Sequence, residues 1–247
     1  MSAEGPGIRE VRTAMSISAV VFDFGSTLVR ETTGDPGDAQ RFIFSRAIAP
    51  HNLRLDDLRQ FHENVFQDML ERREHSGLEF QLTQYLSLLQ ACLGIRLRGD
   101  PDEIAFQCWL LEHAPLLETG AVECLRQLRT LGLKLGLLSN TILSRKSVQL
   151  ALKEFGILKF FDAVVCSSDV AYRKPHGLIY RAVLALLHAE AGQSAMVGDN
   201  LENDIAGAAS LGMRTVWYNP AGLFGAEVKP DHVVSDLSSI PRALGLC

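Results

Sequence analysis

Val20-Val21-Phe22-Asp23-Phe24-Gly25-Ser26-Thr27-Leu28 is the stretch on which the fold turns: apolar residues enough for a buried strand of a parallel sheet run straight into an acid, a glycine and two hydroxyls. Open α/β sheets bind their ligands at the carboxyl ends of the strands, so an Asp in this place is a candidate functional group. An acid ending a strand is also a common turn or cap residue. Its company decides between the two readings: Ser139-Asn140, Lys174-Pro175, and Gly198-Asp199 through Asp204 stand further along the chain.

Outward from that stretch, Arg30 to Asp38 is rich in Thr, Gly, Asp and Pro, which is loop chemistry and a natural hinge. Helical spacings follow. Ala39, Phe42, Ile43 and Ala47 share one face, as do Leu58, Phe61, Val65 and Met69, and then Leu82, Tyr85, Leu86, Leu89 and Leu93, closed by Gly94. Asp100-Pro101-Asp102-Glu103 offers an N-cap, a proline at the first helical position and an acid in the first turn, with Ile104, Cys108 and Leu111 continuing one face.

No convincing strand interrupts this block, which is too long for a connection within a compact sheet domain and predicts an inserted helical domain. From Pro115 the rhythm becomes strand and helix in alternation. Helices are expected over Ala121–Leu131, Ser144–Phe155, His176–His188 and Asn203–Leu211, and strands over Leu133–Ser139, Ala163–Cys166, Ala195–Val197, Arg214–Tyr218 and His232–Val234. Alternation of this kind means an α/β fold, a doubly wound parallel sheet with helices on both faces. The expected organisation is a flexible N-terminal tail over residues 1–16, an α/β core of residues 17–31 and 115–247, and an all-helical cap of residues 32–114.

Bulk properties narrow the function. With 24 Lys and Arg against 29 Asp and Glu the net charge is −5, so no basic field exists to hold nucleic acid or anionic lipid. A small anionic substrate is not excluded, because a local site need not follow net charge. The five cysteines (Cys92, Cys108, Cys124, Cys166 and Cys247) are scattered and lack any CxxC pair, which argues against a disulfide framework and a zinc site and for core thiols in a reducing compartment. No apolar run approaches the about 20 residues of a membrane span, and Met1 to Ile17 carries acids and Gly-Pro-Gly where a signal peptide needs a hydrophobic segment. A cytoplasmic protein with no membrane partner, monomeric or homodimeric, is expected.

Four polar clusters thus fall at strand ends on one edge of the sheet. In VVFDFGSTLV, LGLLSNT, RKPHGLIYRAV and MVGDNLENDIAGAASLGM, taken as an ordered set from about Ala19 to about Leu244, the chain resembles the haloacid dehalogenase-like superfamily, in the subgroup with a helical cap between the first two motifs. The resemblance implies a Rossmann-like core and a set of roles. Asp23 would attack phosphorus and form an aspartyl-phosphate. Asp23, the main-chain carbonyl of Gly25 and Asp199 would hold Mg2+ through hard oxygens. Lys174 would offset the repulsion between Asp23 and phosphate. Ser139 and Asn140, with the amides of Phe24 and Gly25, would bind the phosphoryl oxygens, and Asp204 and Thr27 would support them from behind, Asp204 by holding Lys174 or a water.

One position departs from the pattern. Typical phosphatases of this superfamily carry a second Asp two residues after the nucleophile, which protonates the leaving group and later activates water; this chain has Gly25. A general acid or base contributes about 10²–10⁴ in rate. Its loss matters least for aryl and acyl phosphates, which leave as stable anions, so a small phosphorylated substrate of that kind is expected. Glu31, Asp35 and Asp38 lie close by on the hinge as possible substitutes, with nothing in the sequence to choose among them, and Arg72, Arg73 and His75 of the cap are candidate substrate contacts.

Dehalogenases of the superfamily also lack the second Asp but dispense with the metal, whereas Asp199 is present here in a Gly-Asp motif. Phosphonatases need a cap lysine for a Schiff base, and no lysine stands between Glu31 and Ala114. Beside these two weaker alternatives stands a third, a fold that has lost its acid and survives as a weak enzyme or a binding module.

Overall fold

The computed structural model describes residues 16–48, 52–223 and 228–246. The tail expected over residues 1–16 lies outside these but for its last residue, and so does Cys247.

The described chain enters through β1 (Ala19–Phe22), every residue of it buried, and turns through Gly25 and Ser26, the latter at φ 59°, into the short β2 (Val29–Arg30). Then come α1 (Pro36–Arg46), β3 (Ala47–Ile48), α2 (Leu55–Phe61), a wider π-helical turn at His62–Phe66, α3 (Gln67–Ser76), α4 (Leu82–Leu93), β4 (Arg96–Leu97) and α5 (Pro101–His113). β5 (Leu116–Leu117) pairs antiparallel with β2, so the two passages between the helical stretch and the sheet lie side by side. The remainder alternates: α6 (Ala121–Thr130), β6 (Lys134–Ser139), α7 (Arg145–Glu154), β7 (Ala163–Cys166), α8 (Ser167–Val170), α9 (Gly177–Leu187), β8 (Ser194–Gly198), α10 (Gly207–Ala209), β9 (Arg214–Tyr218), β10 (His232–Val234) and α11 (Ile240–Ala243).

Six strands form one parallel sheet in the order β10-β9-β8-β1-β6-β7. β1 sits at its centre, with Phe22 in register with Leu137 on one side and Val197 on the other. This explains why its sequence is apolar without alternation. Val20 and Phe22 face a core shared with α6, α7 and the helical stretch, while Ala19 and Val21 face Ile179, Tyr180 and Val183 of α9. Full burial of Val20, Val21 or Phe22 contributes about 1.5–3 kcal/mol relative to exposure, and both faces are needed to cover a parallel sheet.

The helix signals act as expected where they are local. Asp100 caps α5 by accepting from the amides of Asp102 and Glu103, and Gly94 ends α4 at φ 62°. The helix expected from Ser144 is capped there, the Ser144 hydroxyl accepting from the Ser147 amide. Two points differ from the expectation. The helical stretch also contains a two-stranded pairing, Ala47 with Leu97 and Ile48 with Arg96, so Ala47 belongs to a strand rather than to the face of the first helix. The helix expected over Asn203–Leu211 is a π-type turn at Leu201–Ala206 followed by the short α10, because the Tyr180 hydroxyl takes the Asn203 carbonyl and packs where a Cβ at Gly207 would stand.

Candidate active site

The sheet order brings the four polar clusters together. Asp23 follows the central strand β1, Ser139 ends β6 on one flank, and Asp199 follows β8 on the other. Lys174 arrives from the loop between α8 and α9. All of these, with Phe24, Gly25, Asn140 and Asp204, line one cleft of about 230 Å³.

Lys174 is the hub. Its ammonium donates to Asp23 Oδ1 at 2.6 Å, to Asp204 Oδ1 at 2.6 Å and to the Leu138 carbonyl at 3.1 Å, which uses all three of its protons. Burial alone would lower the Lys174 pKa, but Asp204 and Asp23 outweigh it and hold the ammonium charged well above the usual range. Asp204 has both oxygens engaged, since Oδ2 accepts from the Asn200 amide at 3.0 Å. Its place is cut out of the strand before it: a Cβ at Gly198 would stand 2.3 Å from the Asp204 carboxyl carbon and 2.4 Å from its Cβ, so only glycine lets the carboxylate lie against β8.

The nucleophile candidate is differently balanced. Burial pushes the Asp23 carboxyl up to about 7 despite the opposing pull of Lys174, with Asp204 and Asp199 adding like charge. Burial raises Asp199 too, against a hydrogen bond from Thr27 Oγ1 to its Oδ1 at 3.2 Å. The Trp217 indole N–H fixes the Asp199 main chain through its carbonyl at 2.8 Å. Carboxylate oxygens of Asp23, Asp199 and Asp204 lie within 4.8 Å of one another. Because Asp204 is consumed by Lys174 and Asn200, and Thr27 holds one oxygen of Asp199, the free oxygens of Asp23 and Asp199 form a hard, anionic pair of the kind a divalent ion such as magnesium requires. This donor set fits that ion.

Around Asp23 the backbone is shaped to receive an anion. Asp23 donates its amide to Val197 and Ser26 donates to Val29, while the intervening amides of Phe24 and Gly25 have no acceptor among the described residues. Ser139 is buried at the cleft wall. Asn140 lies there too, but its side chain is committed elsewhere: Oδ1 accepts from the Lys174 amide at 2.7 Å and Nδ2 donates to the Lys174 carbonyl at 3.0 Å. The Asn140 side chain thus clamps the lysine loop.

Of the hinge acids, only Glu31 lines the cleft, where its Oε1 accepts from the Trp109 indole at 3.1 Å; Asp35 and Asp38 are turned to Arg41. Arg72 pairs with Asp68 and His75 with a helix carbonyl, both exposed, whereas Arg73 borders a second chamber of about 400 Å³ that shares Glu31, Trp109, Asn140, Thr141 and Leu143 with the first. That chamber is walled by Phe66, Leu70, Leu82 and Ile142. Sequence reasoning did not reach Trp109, which reads as one more apolar residue on α5. Glu112, in the same chamber and raised by burial to about 7, was missed as well.

A parallel six-stranded sheet carrying an acid, a hydroxyl, a lysine and a second acid at its carboxyl edge defines a class. Residues 17–212 match the model of the haloacid dehalogenase-like hydrolases, and the chain belongs to that family of enzymes. It is 26% identical over 229 residues to pyrophosphatase PpaX of Bacillus cereus, covering 92% of this chain and 95% of that one. To PpaX of Bacillus mycoides it is 34% identical over 121 residues, spanning 48% of this chain and about half (55%) of the relative. Its structure resembles that of a haloacid dehalogenase-like phosphatase from Thermococcus onnurineus, with a TM-score of 0.64, 26% identity, and coverage of 93% of this chain and 98% of the other.

Proposed function

We propose that the chain is a magnesium-dependent phosphohydrolase that works through an aspartyl-phosphate on Asp23 and acts on small substrates whose leaving group departs as a stable anion. The observation that carries this reading is the convergence of Asp23, Lys174 and Asp199 at one strand edge, with the lysine ammonium 2.6 Å from the Asp23 carboxylate. Asp23 and Asp199, with the Gly25 carbonyl, would hold the ion, which when bound neutralises charge on the phosphoryl oxygens. Lys174 keeps a fixed positive charge beside the attacking carboxylate, and the Phe24 and Gly25 amides and the Ser139 hydroxyl are placed to receive phosphoryl oxygens. Asp23 forms the new bond to phosphorus as the leaving oxygen takes the electron pair of the bond that breaks; water then releases phosphate and restores the carboxylate.

Gly25 brings no acid to the first of these steps. Acyl and aryl phosphates need none, nor does pyrophosphate, whose leaving group is itself a stable anion; the names of the PpaX relatives agree with this class. Residues 32–114 serve in this reading as a cap over a core of residues 17–31 and 115–247, and the apolar chamber under it receives the leaving group. Among the described residues no helix is long and apolar enough to cross a membrane.

The test is turnover of p-nitrophenyl phosphate, acetyl phosphate and pyrophosphate against a hexose phosphate, with magnesium and with chelator, and with Asp23→Asn as control. Hydrolysis of the activated compounds, abolished by chelator and reduced at least about 10³-fold by the substitution, is expected. Chelator-insensitive release of halide from 2-chloropropionate, or no turnover of any phosphate, overturns the reading.

A further inference from the structure

The missing second Asp leaves a specific task undone, because a water must still be activated to break the aspartyl-phosphate. The space at Gly25 is open, and the one atom that borders it identifies a substitute. A Cβ built on Gly25 meets a single neighbour within 4 Å among the described residues beyond Phe24 and Ser26, Oε1 of Glu31 at 3.9 Å. A carboxylate is thus already held at the edge of the volume that a side chain from residue 25 would fill.

We propose that Glu31 is the general base that activates the hydrolytic water, a role that rests on the aspartyl-phosphate chemistry assigned above. Its carboxylate is placed by the cap, not by the core. Oε1 accepts from Trp109 Nε1 at 3.1 Å, and Oε2 lies 3.7 Å from His113 Nδ1, both on α5. The segment that follows is stitched to the end of the same helix: the Thr32 amide donates to the His113 carbonyl at 2.8 Å, its hydroxyl to the Ala114 carbonyl at 2.9 Å, and the Gly34 amide to the Glu112 carbonyl at 3.0 Å. Trp109 is itself packed between Phe24 and Phe106, so the donor that orients Glu31 is rigid. Glu31 keeps 39% of its side chain exposed, which gives water a way in and the proton a way out.

The step balances. Water oxygen forms a bond to phosphorus, Glu31 takes the water proton, and the bond between phosphorus and the Asp23 oxygen breaks with its electron pair returning to the carboxylate. Phosphate leaves and the Glu31 proton passes to solvent.

Rapid-quench kinetics of Glu31→Gln with p-nitrophenyl phosphate and magnesium separates the two steps. The glutamine keeps an acceptor for Trp109 but cannot take a proton. Expected is a burst of about one p-nitrophenol per site at a rate within a few-fold of the parent, then a steady state lower by about 10²–10⁴, with a phosphate adduct on Asp23 visible by intact mass. The double variant Gly25→Asp with Glu31→Gln, which returns a carboxylate to the same space from the other side, is expected to recover steady-state turnover. A steady state within a few-fold of the parent, or a burst slowed as much as turnover with no adduct, overturns the role of Glu31. A parent protein without phosphatase activity instead removes the underlying reading, and the inference falls with it.

Discussion

At the scale of the residue, the site is defined as much by what is absent at position 25 as by what is present at 23. Gly25 lies outside the left-handed region, and a Cβ there meets only Glu31 Oε1 at 3.9 Å among the described residues beyond its chain neighbours, so the backbone accepts Gly25→Asp. The new carboxylate would stand beside Glu31, and two acids in one space push one of the two pKa values up, which creates the proton donor that alkyl leaving groups need. Gly25→Asp is therefore expected to extend turnover to a hexose phosphate by about 10-fold or more, within the range a general acid provides. A variant that folds and keeps its activity on p-nitrophenyl phosphate but gains nothing on the alkyl ester would show that the leaving group is limited by something other than the missing acid. Asn140 gives the complementary lesson. Both ends of its side-chain amide are bonded to Lys174, which keeps the lysine loop where the ammonium meets Asp23.

At the scale of the element, the junction of β8 with the turn that follows carries the strictest packing in the site. Gly198 ends the strand, and the Asp204 side chain, six residues later, folds back over it to hold Lys174. A methyl group there cannot be absorbed by rotation of a flexible tip, because Cβ and the carboxyl carbon of Asp204 are both in the way. Gly198→Ala is expected to cost about 1–3 kcal/mol, the range for overpacking in a dense interior, measured by urea unfolding. It should also lower activity more than stability alone explains, since the displaced carboxylate releases one of the lysine's three bonds. A loss of stability with full activity would separate the packing from the catalysis. The segment between α3 and α4 makes a second junction. Glu79 donates its amide to the Ala171 carbonyl, its carboxylate accepts from Ser167 Oγ at 2.9 Å and lies near Arg73 and Arg173, and Leu82 donates to Ile142. The helical stretch is thus pinned to the two loops that carry Asn140 and Lys174.

At the scale of the whole molecule, a partly buried acid couples stability to pH. Glu112 sits in the chamber above the cleft, and burial raises its carboxyl from 4.5 to about 7. A group with a raised native pKa binds more protons folded than unfolded, so its contribution is fully present below about 4.5 and is lost as pH climbs through about 7. Glu112→Gln removes this dependence. Relative to the parent, the variant should gain stability steadily between those two values and hold the gain above them, read as the difference in unfolding midpoint in chelator-containing buffer. The Glu112 carbonyl that receives the Gly34 amide is main chain and survives the change. A difference that does not vary with pH would mean that the carboxyl is solvated in the folded protein.

What the sequence by itself determined is whatever depends on neighbours along the chain. The apolar run before Asp23, the alternation after Pro115, the Asp100 cap, the glycine stops and the four polar clusters are local patterns, and the alternation of strand with helix implies the parallel sheet. The boundaries that slipped did so where a distant partner intervenes, as where the Tyr180 hydroxyl meets the Asn203 carbonyl and the expected helix begins earlier, as a wider turn from Leu201. Tertiary structure alone decided which hinge acid faces the space at Gly25. That choice rests on Trp109, 78 residues from Glu31, turning its indole N–H toward one carboxylate while Asp35 and Asp38 are drawn off by Arg41. No spacing rule records such a contact, because it exists only once α5 has packed against Phe24 beside the end of the central strand.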